Sequence, residues 1–252
     1  MCSTGPICIT RTRLSNREYG RYFWLAERYR DHDCDDDDTA YPFLFKDPLF
    51  NSLYAISELA LARIATELGE DATRHEKRSH EIATALGALF TVGDRDSATG
   101  GDPSGGYYAA RDVVSVLRVE KATINGILPL LIPGIATADR LIRTIEGPRF
   151  MGSGALLPPS YDATASDLNP ELYWRGPAWF NMAWLVATAL GTNGRTEQAD
   201  EIGSRLVRLA DVNNFPEYVE PWKGTPHGTR RFSWTASLVL ETLRHDGWGL
   251  LA

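Results

Sequence analysis

The spacing of apolar and polar positions predicts a mainly helical chain. Apolar residues recur three and four positions apart from Leu49 to Leu68, and the preceding Asp47-Pro48 pair is typical of a helix start. Gly69 is suited to end that helix. The same periodicity predicts further helices at Thr73–Phe90, from Asp112 toward Gly126, at Ala136–Ile145, at Pro177–Leu190, around Ala199–Leu209, and from Thr229 or Ser233 to Leu243.

The loops between these helices alternate in length and composition. Two long loops rich in glycine, proline and aromatic residues, 147–176 and 213–228, precede apolar helices, whereas short polar turns at 69–73 and 191–195 join other helices. A stack of helical hairpins with its long loops on one face is expected to carry its functional residues on that face. The hairpins share no sequence repeat, which disfavours a ligand-binding solenoid.

Composition narrows the classes of function. The 252 residues suffice for one domain, and 33 acidic against 26 basic residues give a charge of −7, which argues against a nucleic-acid partner. The sequence contains no run of 18 or more apolar residues, so we expect no membrane span, and the N-terminus lacks the apolar stretch of a secretory signal. Three cysteines without C-x-x-C spacing and five scattered histidines predict no disulfide framework, no metal site and no cofactor. We therefore expect a cytoplasmic protein.

Glu217 is the candidate catalytic carboxylate. It lies between prolines and aromatic residues, in Asn214-Phe215-Pro216-Glu217-Tyr218-Val219-Glu220-Pro221-Trp222, and not on the solvated face of a helix. Such surroundings exclude water, which favours acid–base chemistry by a carboxyl group. Glu220 competes for the same role, and a solvated loop position stays open for both residues.

A second candidate site precedes the apolar helix, in Tyr173-Trp174-Arg175-Gly176-Pro177-Ala178-Trp179. Gly176 lets a ligand approach the backbone closely, and the forked donors of Arg175 can orient a carboxylate or a sugar hydroxyl. Five of the seven tryptophans lie between Trp174 and Trp234, and indole faces suit the apolar faces of sugars. Packing of these aromatic residues into the core is an equal alternative.

Four ordered motifs resemble glycoside hydrolase family 63, and in particular its bacterial mannosylglycerate and glucosylglycerate hydrolases. They are Tyr173–Trp179, Glu217-Tyr218-x-x-Pro221, Gly224-x-x-x-Gly228 and Phe232-Ser233-Trp234-Thr235-Ala236, with weaker upstream matches at Phe45–Asn51 and Gly106–Asp112. The similarity runs from Arg17 to Leu243. We accordingly divide the chain into an unmatched segment, 1–16, and the C-terminal part of a barrel domain, 17–252.

The resemblance implies an all-α, (α/α)6-barrel-type helical toroid that hydrolyses α-glucosides or α-mannosides, including those of glycerate, with inversion. It implies that Glu217 is the general base and that Tyr173, Trp174, Gly176 and Trp179 line the sugar subsite. Inversion also needs a second carboxyl group, placed about 6.5–9.5 Å from the first, to protonate the leaving oxygen.

The family's general acid is an aspartate in a Gly-x-Asp-x-Ser-Pro-type segment, which this sequence does not contain. The acidic run at residues 31–38 does not replace it and is expected to be a solvated loop. The helices are also too few for a twelve-helix barrel. We therefore expect part of a longer enzyme or a truncated copy, with weak catalysis and self-association through an exposed apolar face. A non-catalytic sugar-binding remnant and a purely structural helical fragment are the alternatives.

Overall fold

The computed structural model describes residues 15–93, 105–244 and 248. Within these residues the chain is mainly helical, which confirms the all-α prediction. The α-helices are α1 (Asn16–Asp31), α2 (Pro48–Glu67), α3 (Thr73–Phe90), α4 (Ala138–Glu146), α5 (Phe180–Thr192), α6 (Thr196–Val212) and α7 (Ser233–Arg244). No helix among these residues is long and apolar enough to cross a membrane.

Short strands join the loops between the helices. They are β1 (Phe45–Lys46), β2 (Thr91–Gly93), β3 (Gly106–Tyr108), β4 (Arg111–Asp112), β5 (Ala178–Trp179), β6 (Tyr218–Val219) and β7 (Pro226–His227). All pairings are antiparallel: β1 pairs with β4, β2 pairs with β3, and β5, β6 and β7 form a three-stranded sheet with β6 in the centre.

The start of α2 follows the predicted capping pattern. The Asp47 side chain accepts a hydrogen bond from the Phe50 backbone N–H at 3.0 Å, and Pro48 occupies the first turn. Gly69 follows the end of the helix with a φ of 73°, a conformation that glycine adopts without steric cost. The helix then turns back into α3, and His75 of α3 contacts the Glu58 carboxylate of α2 at 2.6 Å.

The core lies where two helical hairpins meet. The α2–α3 and α5–α6 hairpins both contact a buried 3-10 helix, Leu128–Leu131, which lies between α2 and α5. The α5 helix is apolar almost all round, which is the pattern of a helix covered on most sides. Its buried residues are Phe180, Met182, Ala183, Val186, Ala187, Thr188, Ala189 and Leu190.

Three predictions of helix boundaries were wrong or incomplete. The helix expected from Asp112 toward Gly126 is absent, and this part of the described chain forms turns and the 3-10 helix Ile124–Gly126. The helix expected to open at Pro177 begins at Phe180, because the two residues before it pair with β6. The pattern also missed α1, although Ser15 and Glu18 form a capping box at its start.

Candidate active site

The three-stranded sheet brings the two candidate segments together. Trp179 pairs with Tyr218, and Tyr218 pairs in turn with His227 on β7. Residues directly opposite each other in antiparallel strands place their side chains on the same face. The Tyr173–Trp179 motif and the Glu217 motif, some 40 positions apart in the sequence, are therefore adjacent in the structure.

Aromatic rings stack along this face of the sheet. The Trp174 and Trp179 rings are parallel, with centroids 4.1 Å apart, and Trp179 stacks on Tyr218 at 4.7 Å. The His227 ring continues the stack at 5.9 Å from Tyr218. Tyr173 meets Trp174, Trp179 and Tyr218 edge-on, and its carbonyl accepts a hydrogen bond from Trp179 Nε1 at 2.8 Å. These contacts fix the orientation of the five rings.

Exposure separates the two tryptophans of the motif. Trp174 is 43% exposed, whereas Trp179 is 3% exposed and stacks against both Trp174 and Tyr218. A sugar stacks on an indole only where a ring face reaches solvent. Of the two rings only Trp174 reaches solvent, and the buried Trp179 packs against it.

Arg175 and Gly176 occupy different environments. The Arg175 side chain is exposed, and its backbone closes a turn through hydrogen bonds with Leu172 and Asn169. Gly176 is buried, and a Cβ at this position would lie 2.5 Å from the Asn169 carbonyl oxygen. Its N–H donates to Ser160 Oγ at 3.1 Å. Gly176 thus allows two backbone segments to pack closely. This packing explains the glycine at position 176 without a ligand.

The Glu217 carboxylate is held in a defined position by Thr229. The Glu217 N–H donates to the Thr229 carbonyl at 2.8 Å, and the Thr229 N–H donates to Glu217 Oε2 at 3.0 Å. Gly228 lies directly under the carboxylate, where a Cβ would be 2.5 Å from Oε2. Backbone atoms therefore fix the carboxylate, which lowers its freedom to change rotamer.

The start of α7 fastens the loop that carries Glu217. Backbone hydrogen bonds run from Arg231 to Asn214 and from Phe232 to Phe215, and Thr235 Oγ1 donates to the Pro216 carbonyl at 2.7 Å. Asn214, Phe215 and Arg231 all have φ values between 52° and 59°. Left-handed backbone at non-glycine residues is unfavourable and persists where surrounding contacts impose it, as often happens at functional sites.

The structure distinguishes Glu217 from its competitor Glu220. Glu220 is 6% exposed, and its Oε2 accepts hydrogen bonds from the backbone N–H groups of Trp222 and Lys223. These bonds form the turn after β6, so Glu220 has a structural role. Glu217 is half-buried and lines a crevice instead.

This crevice, which is too narrow to hold a water molecule, lies between the N-terminal ends of α5 and α7. It is lined by Trp179, Phe180, Asn181, Glu217, Phe232, Trp234, Thr235 and Leu238. The Glu217 carboxylate therefore lies beside two helix starts, whose first-turn N–H groups carry partial positive charge.

His227, at the end of the aromatic stack, is the titratable group of the site that burial affects. Loss of solvation lowers the pKa of the His227 imidazole below its ordinary value, Glu171 and Glu220 act in the opposite direction, and Arg230 adds to the lowering. Nε2 of this ring is buried without a hydrogen-bond partner among the described residues. His227 is therefore mainly neutral at neutral pH.

Sequence reasoning missed Asn181, Thr229 and Thr235. Asn181 lies two positions beyond the Trp179 motif, and Thr235 belongs to the Phe-Ser-Trp-Thr-Ala motif, so a signal existed for both. Thr229 follows Gly228, and only the tertiary structure shows that its backbone contacts the carboxylate. Among the residues that the structure describes, no group of three or more His, Cys, Asp or Glu side chains is placed to hold a metal ion.

Comparison with solved structures defines the class of protein. The chain superposes on a crystal structure of the family 63 mannosylglycerate hydrolase from Thermus thermophilus in complex with Tris and D-glycerate, with a TM-score of 0.80 and 29% identity over 94% of this chain and 55% of that one. A complex of the same enzyme with glucose gives a TM-score of 0.79 at 28% identity, covering 92% and 53% of the two chains. The fold is that of a glycoside hydrolase of the (α/α)6-barrel type.

The chain belongs to the family described as the mannosylglycerate hydrolase MGH1-like glycoside hydrolase domain, whose model matches residues 3–235. Its relatives include the mannosylglycerate hydrolase of Rubrobacter radiotolerans, 30% identical over 92% of this chain and 51% of the relative. The glucosylglycerate hydrolase of Mycolicibacterium hassiacum is 32% identical, over 92% and 52%. The chain thus spans about half the length of the curated relatives that it matches, and the family predicted from the motifs is confirmed.

Proposed function

We propose that this chain carries the general-base side of an inverting glycosidase site that acts on α-glucosides or α-mannosides. The observation that carries the proposal is the placement of the Glu217 carboxylate, which Thr229 holds in a crevice beside Trp179. The aromatic stack behind Trp174 provides a rigid, partly exposed ring face next to that crevice. A fixed carboxylate beside an aromatic platform matches what water activation at a sugar ring requires.

In such a reaction the Glu217 carboxylate removes a proton from water as the water oxygen bonds to the anomeric carbon. The bond from that carbon to the leaving oxygen breaks, and the oxygen takes a proton from a carboxylic acid acting as general acid. Within the described residues Glu220 does not fill this second role, because its carboxylate is engaged in the turn after β6.

The relatives' names suggest a glycerate glycoside as substrate, since they are mannosylglycerate and glucosylglycerate hydrolases. The exposed Arg175 supports this choice, because a guanidinium group can pair with the carboxylate of a glycerate aglycone. Glucose and mannose differ in the configuration of one hydroxyl group, and no described contact favours either sugar.

Glycosyl fluorides test the base directly. Fluoride leaves without prior protonation, so α-D-glucosyl fluoride and α-D-mannosyl fluoride report on the Glu217 side of the site even if no general acid is present. We expect the chain to release fluoride, measured with a fluoride electrode, and to produce the β-sugar, measured by proton NMR. Glu217→Gln should slow release by roughly 10²–10⁴-fold while the melting temperature changes little.

Glu220→Gln is the matched control, since the same change at a structural carboxylate should lower the melting temperature and affect turnover less. Near-normal turnover by Glu217→Gln would refute the assignment of the base. A wild-type chain that releases no fluoride but shows a saturable change in tryptophan fluorescence with glucose or mannose would instead favour a non-catalytic sugar-binding protein, which the exposed Trp174 could also serve.

We also propose that the chain self-associates through α2. Its exposed apolar residues are spaced so that they form one stripe along the helix: Phe50, Tyr54, Leu61, Ile64 and Leu68. An apolar stripe of this length in water favours contact with a second copy. Light scattering after size-exclusion chromatography should show a dimer or larger species that becomes monomeric in a Leu61→Lys, Ile64→Lys variant, and a monomeric wild-type chain would contradict the proposal.

The exposed, free thiol of Cys34 is consistent with a reducing, cytoplasmic setting, which we keep as a proposal.

A further inference from the structure

The C-terminal half of α7 packs loosely against α6. All twelve residues of α7 are described, and of these only Thr235 and Val239, in its first two turns, are buried. A cavity of about 990 Å3 lies between the two helices, and Val239, Thr242 and Leu243 line it on the α7 side. The packing of α7 thus weakens toward its C-terminal end, although its N-terminal end fastens the loop that carries Glu217.

Trp248, which follows α7 in the chain, lines the same cavity and is attached to the neighbouring helices. Its Nε1 donates a hydrogen bond to the Asp200 carboxylate of α6 at 2.8 Å. A Cβ at Gly203 of α6 would lie 2.5 Å from Trp248 Cζ2 and 3.3 Å from the Thr242 methyl carbon of α7. A Cβ at Gly191, near the end of α5, would lie 2.0 Å from Trp248 Cβ. Trp248 therefore contacts α5 and α6 where the last turn of α7 also meets α6.

The two glycines are an independent sign that the contact with Trp248 matters. Glycine inside a helix is less favourable than alanine, so Gly191 and Gly203 weaken the helices in which they lie. Alanine at either position would collide with Trp248. Two helices thus carry an unfavourable residue at the places where Trp248 needs the space, and the indole N–H is satisfied there as buried tryptophans require.

We propose that Trp248 is a positioning residue, which fastens α7 to the α5–α6 hairpin and so keeps the Glu217 carboxylate in place. The inference rests on the proposed function and adds a residue that acts on the site from outside it. The first turn of α7 reaches the Glu217 loop through the hydrogen bond from Thr235 to the Pro216 carbonyl. An α-helix transmits movement as a rigid element, so freedom at the last turn of α7 displaces its first turn.

The contact itself is tested by the sign of one substitution in two backgrounds. In the wild-type chain Gly203→Ala should lower the melting temperature by about 2–4 °C or more, because the new Cβ displaces the indole. In a Trp248→Ala chain the same substitution should raise it by up to about 2–4 °C, since alanine is the better helix former and the space is empty. A fall in both backgrounds would overturn the inference.

The effect on the site is tested by comparing Trp248→Ala with Leu86→Ala. Leu86 is 1% exposed on α3, which packs on α2, so its truncation destabilises the chain away from α7. Both variants should melt about 4 °C or more below wild type. At a temperature where both are folded, Trp248→Ala should release fluoride from the glycosyl fluorides with a kcat roughly 10-fold lower and little change in KM, and Leu86→Ala should keep its kcat.

Hydrogen exchange measured by mass spectrometry supplies a readout that does not depend on turnover. Amides of α7 and of the Glu217 loop should exchange faster in Trp248→Ala, whereas in Leu86→Ala the faster exchange should be confined to α2 and α3. A Trp248→Ala chain with a lowered melting temperature but wild-type kcat and wild-type exchange in α7 would give Trp248 a purely structural role and overturn the inference.

Trp248→Phe keeps a ring at the two glycines and loses the hydrogen bond to Asp200, so it serves if the alanine variant does not fold. It should lower kcat by roughly 2- to 3-fold and speed exchange in α7, and wild-type values of both would overturn the inference. No fluoride release by the wild-type chain would refute the proposed function and the positioning role with it. Unchanged exchange in α7 would refute the role of Trp248 alone.

Discussion

Replacing Thr235 with valine removes one hydrogen bond at the site and almost nothing else. The Thr235 side chain is 1% exposed and donates to the carbonyl of Pro216, the residue directly before Glu217. Valine has nearly the same shape, so the main consequence is a buried carbonyl without a partner. Leaving such a group unpaired costs about 1–3 kcal/mol, and about 2 kcal/mol corresponds to a fall of roughly 4–8 °C in melting temperature for a chain of this size.

The same change should also reduce fluoride release from the glycosyl fluorides, because a displacement of about 1 Å at a reacting group can cost on the order of 10²-fold in rate. Thr188→Val is the matched control. Thr188 is 2% exposed, and its hydroxyl donates within α5 to the Trp184 carbonyl at 2.9 Å, which the helix backbone already satisfies. We expect the control to melt close to wild type. Equal losses in the two variants, or a Thr235→Val chain with wild-type melting and turnover, would refute the reasoning.

Two further predictions concern the same loop. Gly228→Ala should lower both turnover and stability, because φ is +70° and the new Cβ would meet the Glu217 carboxylate. Gly194→Ala is the control, since its φ is +74° but the space around it is open. In a denaturant titration this control should lose only the roughly 1–2 kcal/mol of left-handed strain, and it should keep its turnover. Because burial lowers the pKa of His227, the unfolded chain binds more protons than the folded chain as the pH falls through the ordinary histidine pKa of about 6.5, so the free energy of unfolding should fall below about pH 7. That fall should be smaller in His227→Gln, and an identical pH dependence in the two chains would contradict the lowered pKa.

Local sequence patterns predicted the elements that local interactions determine. The Asp47-Pro48 start of α2 and the extent of α3 follow from capping and helical periodicity, and the structure agrees with both. The segment after Asp112 misled the same reasoning. Its first apolar residues, from Val113 to Val119, are exposed, and only those from Ile124 to Leu131 are buried, where the α2 and α5 helices cover short 3-10 turns. Pro129 also removes a backbone donor from this stretch, which favours short 3-10 turns over a continuous helix.

The sequence motifs pointed to the segments of the candidate site but not to the geometry that joins them. The order of motifs pointed to Glu217 and to the Tyr173–Trp179 segment, yet no local pattern shows that Trp179 pairs with Tyr218. That pairing joins residues far apart in the sequence and depends on strands only two residues long. The contacts that hold the carboxylate are largely made by backbone atoms, such as the N–H of Thr229, and backbone contacts leave little trace in residue type.

The difference in exposed fraction between Trp174 and Trp179 refines the sugar subsite that the resemblance implies and that we propose. The Trp179 indole is buried between the rings that stack on it, and its Nε1 donates a hydrogen bond to the Tyr173 carbonyl. Its burial therefore stabilises the fold. Trp174 packs against that fixed ring and keeps part of its surface exposed, so its indole is held in place before any ligand arrives. A platform held by other rings loses little conformational entropy when a sugar binds. In the sugar subsite that we propose, the buried Trp179 thus contributes to binding through the rigidity that it gives to the exposed Trp174.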